Sequence, residues 1–228
     1  MNMPLILRET HMLELCPRAP LNFDATMHKP AHFPSSDNAW EPGARWQTMF
    51  WDGQALGLKL EGRGKTDQPK LGLSIWSKEK LSPAFVESLT DEIEYRLCLQ
   101  TDLSGFNRAF EKDALLGPMI EKWRGMRPVT YSSLYEYLII AIVLQNATVR
   151  RSVNMMQALY EKYGTLLAFD GRELFCFWAP EIIDRATEQE LRGLKVGYRA
   201  KSIKRITEAF VKKQIDENAL RTKTIDEQ

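Results

Sequence analysis

The chain has 228 residues, of which 44% are hydrophobic and 27% charged, and this composition excludes a disordered protein and predicts a globular one of one or two domains. Its formal net charge is +1, so no overall positive field attracts nucleic acid, and any such attraction has to come from locally clustered charge. Three widely spaced cysteines without a Cys-x-x-Cys pair predict neither a disulfide scaffold nor a zinc site.

The first 82 residues carry the signals of strands and turns. Apolar residues alternate over residues 56–60 and again over residues 71–75, which is the pattern of strands with one buried face. Asp52 and Gly53 form the dipeptide most typical of a tight type I′ hairpin. Residues 1–82 are therefore predicted to form a small antiparallel β-rich domain.

From residue 83 onward the pattern is helical. Pro83 is a favourable first residue for a helix. Ser133 and Glu136 predict a capping box at the head of a strongly apolar helix that ends near Leu144, and its all-round apolarity predicts a central, buried position. Residues 83–228 are predicted as an all-α domain, so the expected fold class is α+β.

A corner between two helices follows Leu144. Gln-Asn-Ala at residues 145–147 interrupts the apolar helix and Thr148 opens the next one, which places Asn146 at the corner. Arg150 and Arg151 lie in the first turn of the second helix, where the helix dipole disfavours a cation by roughly a few tenths of a kcal/mol. An anion or a base edge would offset this cost, and two simply solvated arginines explain it equally well.

A second motif lies at residues 193–201, which read Gly-Leu-Lys-Val-Gly-Tyr-Arg-Ala-Lys. Residues 192–213 contain eight basic residues and one acid, and the apolar residues of this segment share one helix face. The basic residues predicted to project from the opposite face include Lys201, Lys204 and Arg205. A glycine-flanked Tyr198 and Arg199 beside a basic helix indicate contact with a DNA duplex, while an ordinary amphipathic surface helix is the alternative.

Taken in order, the corner and the turn resemble the helix-hairpin-helix superfamily of base-excision DNA glycosylases, and most closely its 8-oxoguanine branch. The resemblance implies that Asn146 fills the gap left by a flipped nucleotide and that Tyr198 wedges beside the lesion. It also implies that Arg151 and Arg199 read the orphaned cytosine. The implied partner is double-stranded DNA with a damaged base, and no metal or other cofactor is expected. Weaker contacts to the DNA backbone are expected from Arg150, Lys201, Lys204 and Arg205.

The resemblance does not extend to the catalytic residues. In the family, a Leu-Pro-Gly-hydrophobic-Gly hairpin, a nucleophilic lysine and an aspartate follow the basic helix, and the sequence reaches Gln228 where that hairpin is expected. Lys195 lies before the basic helix and is a poor candidate for the nucleophile. No catalytic residue is therefore assigned, and the chain alone is expected to be inactive. The catalytic hairpin is expected in a missing C-terminal segment or a second polypeptide.

Two other functions stay open: a portion of a 3-methyladenine-type alkylbase glycosylase, and a non-catalytic module that binds damaged DNA. The N-terminal residues lack the features of a signal peptide, and the longest apolar run, residues 138–144, is too short to span a membrane. We therefore expect a cytoplasmic protein associated with the nucleoid, or a nuclear one in a eukaryote, with no membrane partner.

Overall fold

The computed structural model describes residues 3–28 and 35–227. Over these residues the chain combines two β-sheets with helices, in agreement with the predicted α+β class. The strands are β1 (Leu5–Ile6), β2 (Arg8–Leu15), β3 (Asn38–Glu41), β4 (Ala44–Trp51), β5 (Gln54–Gly62), β6 (Leu71–Ser77), β7 (Thr165–Phe169) and β8 (Arg172–Cys176). One sheet is antiparallel with the order β2-β6-β5-β4-β3, and the other has the order β1-β7-β8.

The hairpin predicted at residues 52–53 joins β4 to β5. Asp52 and Gly53 have φ values of 42° and 76°, as a type I′ turn requires, and Trp51 pairs with Gln54 across it. The alternating apolar residues predicted to face the core are all buried: Leu56, Leu58, Leu60, Leu71, Leu73 and Ile75. The antiparallel meander and its buried apolar face are confirmed, but the prediction of only one buried face is wrong, because Trp46 and Trp76 on the other face are buried against the second sheet.

The main helices begin where the sequence predicts them. They are α1 (Phe23–Met27), α2 (Pro83–Arg96), α3 (Ser104–Phe110), α4 (Leu116–Lys122), α5 (Leu134–Leu144), α6 (Val149–Tyr163), α7 (Pro180–Asp184), α8 (Glu188–Leu191), α9 (Arg199–Val211) and α10 (Glu217–Arg221). Pro83 is in the first turn of α2, and Thr148 caps α6. The predicted capping box is present, because the Ser133 amide donates to Glu136 Oε2 at 2.7 Å and Ser133 Oγ accepts from the Glu136 amide. None of the helices in the described residues is long and apolar enough to cross a membrane.

The region after residue 83 is not all-α, and that prediction is wrong. β7 and β8 form a hairpin around Asp170 and Gly171, which have φ values of 46° and 71°. β1 pairs with β7 in parallel, through Leu5 with Leu167. The turn carries the same Asp-Gly signal as the first hairpin. The second sheet therefore joins the N-terminal strand to the helical part of the chain.

Packing is continuous across the predicted domain boundary at residues 82 and 83. Val86, Leu89 and Ile93 of α2 belong to the same hydrophobic core as the inner face of the five-stranded sheet. The division into two domains remains a prediction, and α2 packs with the sheet that precedes it. A second core lies among α5, α6 and α9.

Helix α5 is buried on one side only, which corrects the prediction of all-round burial. Tyr135, Ile139 and Val143 are buried at the spacing of one helix face. Ala141 and Leu144 are exposed, because α9 and α6 pack against the opposite side of the helix. The exposed end of α5 leads directly into the corner.

A buried ion network holds the start of α5 in place. Glu92 accepts hydrogen bonds from Arg96 at 2.7 Å and from Arg221 at 2.6 and 2.8 Å. Burial raises the pKa of Glu92, but the hydrogen bonds from Arg221 and Arg96 outweigh it, so the carboxyl pKa lies below its usual value. Glu217, which also pairs with Arg221, accepts from the Leu134 amide at 2.9 Å. Helix α10 thus connects α2 to the first turn of α5.

Candidate nucleic-acid interface

The corner consists of residues 144–149, between α5 and α6. Asn146 is exposed and has a φ of 47°, a left-handed conformation that asparagine adopts more readily than most residues. The Thr148 side chain accepts a hydrogen bond from the Arg151 amide at 3.3 Å and thereby starts α6. The predicted helical corner with Asn146 at its tip is therefore present.

The Gly-Tyr-Arg turn comprises residues 192–199, between α8 and α9. Two of its residues have left-handed φ values, Lys195 at 64° and Gly197 at 65°. Val196 is buried between them and anchors the turn to the core formed by α5, α6 and α9. Tyr198 precedes α9, and its side chain is 55% exposed. The Tyr198 ring is thus presented to solvent by a turn whose backbone is held in place by the buried Val196 side chain.

Arg199 connects the turn to the corner. Its guanidinium donates a hydrogen bond to the main-chain carbonyl of Gln145, the residue before Asn146, and a longer one of 3.5 Å to the carbonyl of Val196. The guanidinium carbon lies 4.7 Å from the centre of the Tyr198 ring. Arg199 is only 1% exposed, and its Nε has no hydrogen-bond partner among the described residues. The sequence predicted a contact between Arg199 and DNA, and in the structure its side chain is buried between the two motifs.

A groove lies between the Gly-Tyr-Arg turn and α6. It has a volume of about 620 Å³, and Arg151 and Lys195 contribute to its lining from opposite sides. Arg151 is exposed, and no described residue forms an ion pair or a hydrogen bond with its guanidinium. The sequence predicted Arg151 as part of the site but gave Lys195 no binding role. We call this space the α6 groove.

The residues that the sequence predicts to contact the DNA backbone fall into two groups. Arg150, Lys201 and Arg205 are exposed and have no ion-pair partner in the described part of the chain. Lys204 is half-buried, and its ammonium donates to the carbonyls of Ile183 and Asp184 at 3.3 and 2.6 Å. Lys204 therefore caps the C-terminus of α7, and the predicted phosphate contact, which stays a prediction, would compete with this role.

Local pairing also reduces the charge of the basic segment. Arg192 pairs with Glu188 at 2.7 Å, and Lys212 pairs closely with Glu208, both at i,i+4 spacing. The described residues contain no group of three His, Cys, Asp or Glu side chains that could hold a metal ion. What remains at the two motifs is a set of unpaired cations around an exposed tyrosine and an exposed asparagine.

No protein-family model matches the sequence, and no curated protein matches it. Solved structures do resemble it. A 3-methyladenine DNA-glycosylase from Archaeoglobus fulgidus aligns with a TM-score of 0.70 and 16% identity, over 86% of this chain and 66% of its own. The 8-oxoguanine glycosylase/lyase of Clostridium acetobutylicum aligns with a TM-score of 0.67 and 14% identity in its apo form, over 96% of this chain and 70% of its own.

The same Clostridium acetobutylicum enzyme in complex with double-stranded DNA containing cytosine opposite 8-oxoguanine aligns with a TM-score of 0.64 and 14% identity, over 95% of this chain and 70% of its own. At such low identities the likeness concerns the fold. The chain spans about two thirds of the length of these structures. It shares its fold with DNA glycosylases.

Proposed function

We propose that the chain is the DNA-binding and lesion-recognition portion of a base-excision-repair DNA glycosylase that acts on oxidised purine, 8-oxoguanine opposite cytosine. The observation that carries the proposal is the hydrogen bond from Arg199 to Gln145, which holds the Asn146 corner and the exposed Tyr198 together as one surface. The fold shared with DNA glycosylases supports it.

The chemistry of base excision explains why these residue types are needed. An N-glycosidic bond inside a stacked duplex is out of reach, so the damaged nucleotide has to leave the stack at a cost of about a few kcal/mol. In the proposal, the exposed Tyr198 ring stacks into the opened step and the Asn146 amide fills the vacated space. Both groups lower the cost of opening.

The base left behind is read through its hydrogen-bonding edge. Cytosine presents N3 and O2 as acceptors and its N4 amine as a donor, and a guanidinium supplies only donors. Arg151 is exposed and free to donate to these acceptors. Arg199 also has a donor without a partner among the described residues, at Nε, and in the proposal a small shift of its side chain on DNA binding lets the guanidinium donate to these acceptors while it keeps the Gln145 carbonyl. Arg150, Lys201, Lys204 and Arg205 complete the proposed surface as contacts to phosphates.

The experiment that tests this proposal measures binding to duplexes with 8-oxoguanine opposite cytosine or opposite adenine. Arg151→Ala is expected to weaken binding to the cytosine duplex about 10-fold more than to the adenine duplex, because a good pair of hydrogen bonds to a base contributes about 1–3 kcal/mol of discrimination. Arg150→Ala, the matched control in the same helical turn, is expected to weaken both equally. Equal losses for Arg151→Ala on the two duplexes would remove the cytosine-reading role.

A 3-methyladenine-type enzyme is the second candidate. The 3-methyladenine DNA-glycosylase aligns with a TM-score of 0.70, as well as the 8-oxoguanine enzyme does at 0.67, so the fold favours neither lesion. Competition between duplexes that carry 8-oxoguanine or an alkylated adenine at the same position separates the two. A preference of about 10-fold or more for one lesion, which corresponds to about 1.4 kcal/mol, would assign the chain to the 8-oxoguanine or to the 3-methyladenine type. Equal affinity for both lesions and for a mismatch would favour a non-catalytic binding module.

We further propose that excision requires a second polypeptide or a further segment that carries the catalytic hairpin. The sequence contains no Leu-Pro-Gly-hydrophobic-Gly segment. In the proposed reaction, a lysine amine attacks C1′, the N-glycosidic bond breaks and the damaged base leaves, while an aspartate stabilises the cationic sugar; the amine then loses a proton and the sugar ring opens to give the Schiff base. The surface described above would open the duplex and present the nucleotide to those groups.

A further inference from the structure

We infer that Lys195 makes the α6 groove a binding site for DNA phosphate, occupied by the sugar-phosphate backbone next to the opened base pair. This inference rests on the proposed function, since it assumes that the corner and the Gly-Tyr-Arg turn enter a duplex. It assigns a role to Lys195 that the sequence did not indicate.

The charge of the groove is the first argument. Arg151 reaches it from the first turn of α6, and Lys195 reaches it from the turn before α9. No described residue forms an ion pair with either cation, whereas Arg192 and Lys212 in the same basic segment are each paired with a glutamate. Glu161 lies at the other end of the groove and accepts from Gln157 Nε2 at 3.0 Å. The lining therefore carries a net positive charge next to the corner.

The backbone at Lys195 is the second argument. Lys195 has φ 64° and ψ 16°, a left-handed conformation that is unfavourable for a residue with a Cβ. A glycine would meet this requirement without strain, and the turn already has glycines at Gly193 and Gly197. If the turn needed only its backbone geometry, no side chain would be required here. Lys195 lines the groove, whereas Lys213, with a similar backbone, does not, and this position favours a function for the Lys195 ammonium.

The position of the groove identifies the ligand. Arg151, Asn154 and Gln157 follow one face of α6 at i,i+3 spacing, so the groove starts beside the Asn146 corner and runs away from it along the helix. Whichever way a DNA strand continues from an opened base pair, the part that follows a protein surface beside it is the sugar-phosphate backbone. The flexible Lys195 ammonium is suited to phosphate oxygens, while Arg151 adds positive charge to the groove and stays available to the orphaned base.

The test measures how the affinity for an undamaged duplex depends on salt concentration, with Lys195→Gly as the main variant. Losing one phosphate contact is expected to make the negative slope of log Kobs against log salt shallower by about 0.9. It is also expected to weaken binding about fivefold at moderate salt. Lys213→Gly is the matched control, because Lys213 is also exposed and left-handed, with φ 54°, but lies beyond the far end of α9. Both variants lose one charge and one strained side chain, so we expect equal shifts in Tm but a slope change for Lys195→Gly alone.

The possible outcomes separate this inference from the proposed function. Equal slope changes in the two glycine variants would show a general charge effect and overturn the groove as a site. Lys195→Gln keeps the strained backbone and removes the charge, so a normal slope in this variant would assign the effect to the backbone and also overturn the inference. Salt-independent or absent binding by the unmodified chain would instead contradict the proposed function.

Discussion

The guanidinium of Arg199 donates a hydrogen bond to the main-chain carbonyl of Gln145, and so joins the residue after Tyr198 to the residue before Asn146. The two partners are 54 positions apart in the chain, and Arg199 is almost fully buried between them. A buried charge-assisted hydrogen bond of this kind fixes the relative position of two segments that are each short and exposed. The recognition surface therefore depends on a residue that solvent does not reach.

Arg199→Ala is expected to destabilise the protein, because it removes a buried charge-assisted hydrogen bond and leaves a cavity beside Tyr198. The expected loss in the free energy of unfolding is on the order of 2–3 kcal/mol. Arg205→Ala, six residues further along α9 and exposed, is the control and is expected to change stability by less than about 0.5 kcal/mol. Urea denaturation measures both, and matching midpoints for the two variants would contradict the buried position of Arg199.

Much of the candidate site could be predicted because its signals are local. A run of apolar residues ahead of Asn146 and a Thr cap behind it define a helical corner, and a glycine before Tyr198 marks a turn. The burial of Arg199 and the left-handed backbone of Lys195 have no such local signal. Both depend on how α6, α8 and α9 pack against one another, which periodicity does not determine.

The two Asp-Gly hairpins show that local sequence signals also predict only part of the fold. Strand β5, which follows Gly53, alternates leucines with polar or small residues. This alternation predicts a sheet with one apolar face. β7 reads Thr-Leu-Leu-Ala-Phe, a short apolar run that periodicity cannot distinguish from part of a buried helix. The turn signal at Asp170 and Gly171 was available, and it is the feature that could have identified the second sheet.

Gly57→Ala tests how closely the second sheet packs on the first. A Cβ at Gly57 would lie 2.6 Å from the ring of Phe169, well inside van der Waals contact. We expect a loss of about 1–3 kcal/mol in the free energy of unfolding, because the ring is confined between the two sheets. The control is Gly105→Ala in α3, where a Cβ meets no atom within 4 Å and alanine is expected to stabilise by about 0.5–1 kcal/mol. A neutral Gly57→Ala would show that Phe169 does not rest on this strand.

Glu136 is expected to make stability depend on pH. Burial raises the pKa of this capping-box carboxyl to about 7, although the charge of Arg96 and the hydrogen bond from Ser133 lower it. A pKa that is higher in the folded than in the unfolded state means that the folded protein holds the proton more tightly. The resulting stabilisation is complete below the unfolded pKa of about 4.3 and is lost as the pH rises through 7.

Glu136→Gln cannot ionise and retains a carbonyl that accepts from the Ser133 amide. Between about pH 4.5 and 8, the unmodified protein is expected to lose on the order of 2 kcal/mol relative to this variant. Denaturant melts of both proteins across this range measure the difference. A difference that stays constant with pH would mean that the Glu136 carboxyl is ionised throughout and is not destabilised by burial.

Borohydride trapping on a duplex with 8-oxoguanine opposite cytosine tests whether the 228-residue chain supplies the nucleophile. A lysine that attacks C1′ forms a Schiff base, which borohydride reduces to a stable protein–DNA adduct. Because the sequence lacks the catalytic hairpin, no adduct is expected with the chain alone. Addition of a polypeptide that carries such a hairpin with its lysine and aspartate is expected to produce one, on the added polypeptide. If the chain itself is trapped and Lys195→Gly abolishes the adduct, Lys195 is the nucleophile. This result would overturn the proposal that a second polypeptide or a further segment supplies the catalytic lysine.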